Sequence, residues 1–261
     1  MGLILIEVIF FILRVTGDVW WLWQSGAMLV FSVLLVNLSP VLIMPIFNKF
    51  TPLSEEHADL ERRLIRLAEE ADTDVKGVYK MDMSRRTRQA NAALMGIGNT
   101  RRIVLGDTLI EEFSPDEIET VLAHELGHHV NHDMPILIGF STVLIALGFF
   151  LVSLAMNWAV NAFGLNGVAD PAGLPVFMIL LSVYQLVVMP VSNAFSRWRE
   201  RMADDYALQA TEKPGAFASA FKRLANQNLG EVDPEPWVVF LFYNHPPLRD
   251  RIAKADHWQK A

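Results

Sequence analysis

Five consecutive residues, His124-Glu125-Leu126-Gly127-His128, have the types and spacing that metal-assisted hydrolysis requires. Positions four apart on a helix share a face, so His124 and His128 can grip one metal ion together. Glu125 then lies beside that ion, where its carboxylate can take a proton from a water. Such a short pattern also arises by chance on ordinary helices, so its surroundings matter. Ser114-Pro115-Asp116-Glu117 offers an N-cap serine, a proline at the first helical position and a capping-box glutamate. Ile118, Val121, Leu122 and Leu126 then carry an apolar helical stripe to the histidines.

Two histidines do not complete a hydrolytic zinc site, which takes three protein ligands and leaves the fourth position to water. The candidate third ligand is Glu200, in Glu200-Arg201-Met202-Ala203-Asp204. Glu200 and Asp204 share a helix face. One carboxylate can bind metal while the other accepts a hydrogen bond from a ligand imidazole and fixes its tautomer. The plain alternative for this pair is a solvated acidic helix surface.

The 261-residue chain has no cysteine, so disulfides and thiolate zinc sites are excluded and any metal must be held by His, Asp or Glu. A net charge of -7 argues against nucleic acid as a partner. The hydrophobic fraction is 52% and the mean hydropathy +0.28, with the apolar residues clumped. Three stretches free of charge, Val19 to Phe47, Pro135 to Phe163 and Leu174 to Phe195, each reach the roughly 20 residues that cross a bilayer. Trp20, Trp21, Trp23 and Trp158 stand near their ends, as an interfacial aromatic belt requires. Gly2 to Leu13 is apolar apart from Glu7 but short; it reads as the tail of another membrane helix whose start lies outside this chain. The first stretch offers only Gln24, Ser25, Ser32, Asn37 and Ser39 as polar groups, thin support for a transporter.

Residues 48–134 carry 11 Lys+Arg and residues 197–261 carry 10, while the loop 164–173 carries none. Both polar segments are therefore expected on the cytoplasmic side, meeting there, with the short loop outside. Four parts follow: membrane helices in 1–47, a polar part with the metal helix in 48–134, a membrane hairpin in 135–196 and a polar C-terminal part in 197–261. Within them the patterns predict a helix over 54–71 and strands over 75–81, 91–97 and 102–105. Short helices are predicted over 107–113 and 246–255, and longer ones over 196–210 and 214–229, with a linker at 233–236. Val75, Gly77, Tyr79 and Met81 are expected on one strand face. Pro190 is a candidate kink. Arg85, Arg86 and Arg88 make a basic loop, either a solvated face or a contact for anionic headgroups.

Four signatures in order resemble the integral-membrane zinc peptidases of the CAAX prenyl protease 1 type and the related HtpX-like enzymes. They are Arg102-Ile-Val-Leu-Gly-Asp-Thr-Leu109, the His-Glu-Leu-Gly-His run, Asn193-Ala-Phe-Ser-Arg197 with Glu200 and Ala203-Asp204, and His245-Pro246-Pro247 with Arg251-Ile252. The resemblance covers roughly residues 40–255. It implies a mainly α fold: polytopic membrane helices with a cytoplasmic gluzincin-like α+β protease part, whose small β-sheet presents a substrate-binding edge strand. It implies one Zn2+ per chain on His124, His128 and Glu200, with Glu125 polarising the attacking water and later protonating the leaving amine. Asp204 would orient a histidine ligand, and Arg251 would hold carboxylates in place. His245 would donate to the developing oxyanion. Asn91 and Ala92 match the strand that pairs with the peptide, although for Asn91 alone a turn residue is the better reading.

His129, His132, His57 and His257 are expected not to bind metal. The implied partners are a peptide or protein substrate, prenylated or not, and the bilayer, in a bacterial inner membrane or the endoplasmic reticulum. Family members usually have seven spans, so three and a fragment suggest either missing first helices or a shorter HtpX-like arrangement. An HtpX-like quality-control protease is the alternative, and a non-catalytic metal-binding scaffold the reading from another class.

Overall fold

The computed structural model describes residues 2–96, 98–227 and 231–258. Two units emerge, residues 1–35 with 135–192 and residues 36–134 with 193–261. In the first, helices α1 (Gly2–Thr16) and α2 (Trp20–Leu38) are separated by a 3-10 turn at Gly17–Val19, where Gly17 has a φ of 55°. Helices α7 (Asp133–Phe163) and α8 (Leu174–Thr211) continue from this unit into the other. Phe10, Leu13 and Trp20 pack with Phe149, Val152, Met156 and Phe177. Gly148 lets Tyr184 close in, and the Tyr184 hydroxyl donates to the Leu144 carbonyl at 2.5 Å.

Among the described residues three helical stretches are long and apolar enough to cross a membrane: Ile6–Leu38, Asp133–Phe163 and Pro171–Thr211. The first overlaps the expected 19–47 but is shifted toward the N terminus. Its α-helix stops at Leu38, where Ser39–Ile43 forms a π-turn containing Pro40, and α3 (Met44–Phe47) follows. Proline lacks the N–H that would continue the ladder. The third helix runs unbroken through Pro190 to Thr211.

The second unit contains the sheet. Strands β1 (Phe50–Pro52), β2 (Val78–Met81), β3 (Ala92–Met95) and β4 (Arg102–Gly106) lie in the order β1-β2-β4-β3, so β3 forms an edge. β2 runs parallel to β4, whereas β1 on β2 and β3 on β4 are antiparallel. Of the expected face Val75, Gly77, Tyr79 and Met81, only Tyr79 and Met81 lie in the strand, and these two share a face. The strand begins only at Val78, and Val78 and Met81 are its buried residues. The sheet is covered on both faces: Val78 enters the main core, and Met81 packs with Met95 and Val104. β1 and the short helix α10 (Pro236–Phe242) arise where no element was expected.

Helices α4 (Ala58–Glu70), α5 (Asp107–Glu112), α6 (Pro115–Val130), α9 (Pro214–Gln227) and α11 (Leu248–Asp256) complete this unit. The main core joins Leu64, Leu67, Ile103 and Leu105 to Ile118, Leu122 and Leu126 of α6 and to Ala207, Leu208 and Phe217. Each fully buried aliphatic or aromatic side chain contributes about 1.5–3 kcal/mol before chain entropy is counted. The α6 capping box is complete: Glu117 N donates to Ser114 Oγ at 3.4 Å, and Ser114 N donates to Glu117 Oε2 at 2.7 Å.

Candidate metal centre

Helix α6 presents His124 and His128, and α8 presents Glu200 and Asp204. The two helices touch because position 127 has no side chain: a Cβ there would lie 2.9 Å from Ala203 Cα and 3.0 Å from its carbonyl oxygen. Ala203 sits between the two carboxylates in sequence, so this contact sets their distance from the histidines. One ligand atom from each of His124, His128 and Glu200 can be drawn within 4.8 Å of one another, the one such group among the described residues.

The Nδ1 atoms of both imidazoles face carboxylates. His124 Nδ1 lies 3.0 Å from Asp204 Oδ1, and His128 Nδ1 lies 2.6 Å from Asp133 Oδ2. A neutral imidazole that gives its Nδ1–H to the carboxylate leaves Nε2 free to bind a metal ion. An Arg251 guanidinium nitrogen also lies 3.2 Å from His124 Nδ1. The two Nε2 atoms face one another at 3.2 Å. Glu200 Oε2 is buried without a hydrogen bond, 3.4 Å from His124 Nε2, and Oε1 is 3.5 Å from His128 Nε2. Two ring nitrogens and a buried carboxylate this close together require a shared proton or a metal cation among them. Two imidazoles and one carboxylate match the donor set of a hydrolytic zinc. Burial and the Arg251 charge would depress His124, yet Asp204 and Glu200 hold its pKa up to about 9. A metal ion bound here competes with that proton.

Arg251 is buried at the back of the site. Its Nε donates to Asp204 Oδ2 at 3.0 Å, and a second guanidinium nitrogen reaches Oδ1. Its carbon lies 3.6 Å from the centre of the Phe221 ring, so a cation–π contact adds to the fork. His245 approaches from the other side, with Nε2 3.3 Å from Glu200 Oε1. The segment before it is anchored to α8: Asn193 donates to the Leu241 carbonyl at 2.6 Å, and Arg197 to those of Val239, at 2.9 Å, and Tyr243. Burial pushes the Glu125 carboxyl up, while His124 and His128 pull the other way. Ala92 begins the edge strand β3, which packs against α6, and the Asn91 carbonyl accepts from Gly106 N at 2.8 Å. His129, His132, His57 and His257 stand outside the group.

Sequence reasoning missed Asp133 and Arg199. Asp133 is buried beside His128, and Arg199 donates to Asp133 Oδ1 and, at 2.6 Å, to the Asn131 carbonyl. Helix α6 ends at Val130, and His132 adopts a φ of 54°, which swings Asp133 back to the imidazole.

Comparison with known proteins gives a consistent relationship. A family model described as peptidase family M48 matches residues 54–259. Another, described as CAAX prenyl protease N-terminal, five membrane helices, matches residues 1–49. The chain is 36% identical to an uncharacterized metalloprotease YhfN of Bacillus subtilis, over 93% of this chain and 57% of that protein. It is 32% identical to CAAX prenyl protease 1 of Saccharomyces cerevisiae, over 87% of this chain and 54% of that one. The crystal structure of Ste24p from S. mikatae superposes with a TM-score of 0.85 at 28% identity, over 98% of this chain and 63% of that one. The chain thus spans less than two thirds of the length of these relatives. It is a multi-pass membrane protein in which two histidines and a glutamate are grouped so that they could hold a metal ion. A family match from residue 54 to residue 259 takes in all of that site, and the chain belongs to peptidase family M48.

Proposed function

We propose that this chain is a zinc-dependent membrane endopeptidase of the CAAX prenyl protease type, hydrolysing a peptide bond near the C terminus of prenylated proteins. The observation that carries the reading is the convergence of both Nε2 atoms and the buried Glu200 oxygen while both Nδ1 atoms face carboxylates. His124, His128 and Glu200 hold Zn2+, one per chain. When bound, zinc supplies Lewis-acid polarisation of the scissile carbonyl and lowers the pKa of water.

The chain's own residues do the rest. Glu125, its carboxyl raised by burial, accepts a proton from the attacking water and returns it to the leaving amine. His245, hinged on the segment that Asn193 and Arg197 anchor, donates to the oxygen that gains charge. Asp204 and Asp133 keep each Nε2 pointed inward, and Arg251 holds Asp204. Edge strand β3, from Asn91-Ala92, takes the extended peptide as an added strand. Beside His245 and Arg251 opens a cavity of about 440 Å3 walled by Phe221, Leu224, Phe242 and Leu248, which suits an apolar substrate side chain. The division at residues 47, 134 and 196, with both polar parts toward the cytoplasm, rests on the placement of Lys and Arg.

The test compares the parent with Glu125→Gln on farnesylated and unmodified peptides. The variant should lose peptide cleavage while zinc stays near one per chain. Equal rates for parent and variant would end the proposed mechanism. A preference for the farnesylated peptide supports C-terminal processing; indifference favours the quality-control alternative.

A further inference from the structure

The proposed hydrolysis makes no use of the loop Asp82–Gln89 and its three arginines. This loop is a built platform. Ser84 N and Oγ donate to the buried Asp107 at 2.9 and 2.6 Å. The amides of Arg86 and Thr87 both donate to the Met83 carbonyl, at 2.9 and 3.1 Å, giving a single helical turn. Arg85, Arg86 and Arg88 project from it, all exposed.

The platform is clipped to the end of an apolar helix. Lys49 N donates to Asp82 Oδ1 at 2.7 Å, Arg86 donates to Asn48 Oδ1 at 3.4 Å, and the Arg86 guanidinium stands 5.8 Å from the Phe47 ring centre. Leu42, Ile43, Ile46 and Phe47 are 57%, 41%, 76% and 56% exposed, an apolar collar fit for hydrocarbon. Asn48 and Lys49 are the first polar residues after it. Apolar collar and cations thus meet within one side chain's reach, inside one unit of the chain. Lys49, Arg85, Arg86 and Arg88 outnumber Asp82, the one acidic residue in the sequence from 82 to 89. Guanidinium forks match phosphate oxygens. A purely solvated cluster has no need of the collar, and neither does an acidic peptide.

We propose that Lys49, Arg85, Arg86 and Arg88 form a binding site for the headgroup of an anionic phospholipid, with Ile46 and Phe47 against its acyl chains. The site is independent of catalysis. The full chain in neutral detergent is titrated with phosphatidylglycerol or phosphatidylcholine, and retained lipid is counted by native mass spectrometry. The parent should retain phosphatidylglycerol preferentially. Each cation at a charged lipid surface contributes about fivefold. Arg85→Gln/Arg86→Gln/Arg88→Gln should therefore weaken phosphatidylglycerol roughly 100-fold while keeping the parent's zinc content, which shows that it folds. Arg62→Gln/Arg66→Gln, on the exposed face of α4, should leave retention unchanged. Equal retention of both lipids by the parent overturns the proposal. So does a triple variant that retains phosphatidylglycerol like the parent, or a control that loses as much. If the triple variant loses only an acidic hexapeptide probe, the loop reads protein and the lipid site is wrong.

Discussion

Adding one methyl group at position 127 tests how the metal centre is assembled. In Gly127→Ala the new Cβ would meet Ala203 Cα at 2.9 Å, Ala203 O at 3.0 Å and Tyr206 Cβ at 3.2 Å. Carbon contacts are optimal near about 3.5–4.0 Å, so α6 and α8 must part by roughly 0.5–1 Å. Overpacking of this kind costs about 1–3 kcal/mol. The functional effect is larger in proportion, because Glu200 and Asp204 flank Ala203 on α8. Zinc–ligand distances tolerate only about 0.2 Å, so Glu200 cannot follow the histidines. Zinc affinity should fall on the order of 10–100-fold, the range seen when the groups that orient ligands are disturbed. Competition with a chromophoric chelator measures the affinity, and thermal unfolding with and without zinc measures the stability. The nearest atoms are backbone, so adding Ala203→Gly should not rescue the variant. Parental affinity in Gly127→Ala, or full rescue by Ala203→Gly, would refute the reasoning.

Asp133→Asn replaces the charged partner of both His128 and buried Arg199, and zinc affinity by chelator competition should fall roughly 10–100-fold. Arg251→Lys keeps the charge but loses the fork that spans both Asp204 oxygens, so steady-state cleavage should show a reduced kcat/KM with the chain still folded. With His124 held up to about 9, zinc must displace its proton below that pH. Apparent zinc affinity should therefore rise with pH, by up to about tenfold per unit from this group, and level off above 9. Calorimetry in buffers of different ionisation enthalpy should register the released proton at pH 7.

The metal helix could be read directly from sequence, because everything that fixes it is local: the capping serine and glutamate, the proline and the 3.6-residue stripe. Glu200 and Asp204 were ambiguous by themselves. An acidic pair on a solvated helix has the same spacing, and only the approach of α8 to Gly127 separates the two cases. Asp133 was not legible, since five residues past His128 is the wrong spacing for one helix face. Its contact depends on the helix ending at Val130 and on the left-handed backbone of His132. Strand β2 was legible, but the pattern starts it three residues early, at Val75 rather than Val78. Alternation signals a sheet with one wet face, whereas here Val78 is buried on the face opposite Met81. The first membrane stretch was displaced because hydropathy continues through Pro40 and Pro45 while the α-helical ladder does not.

The most direct test of the central claim is an anomalous difference map at the zinc edge from crystals of the full chain grown with zinc. The account predicts one dominant peak within about 2.0–2.2 Å of His124 Nε2, His128 Nε2 and a Glu200 carboxylate oxygen. A dominant peak away from these three atoms, or on His129 or His132, would contradict it.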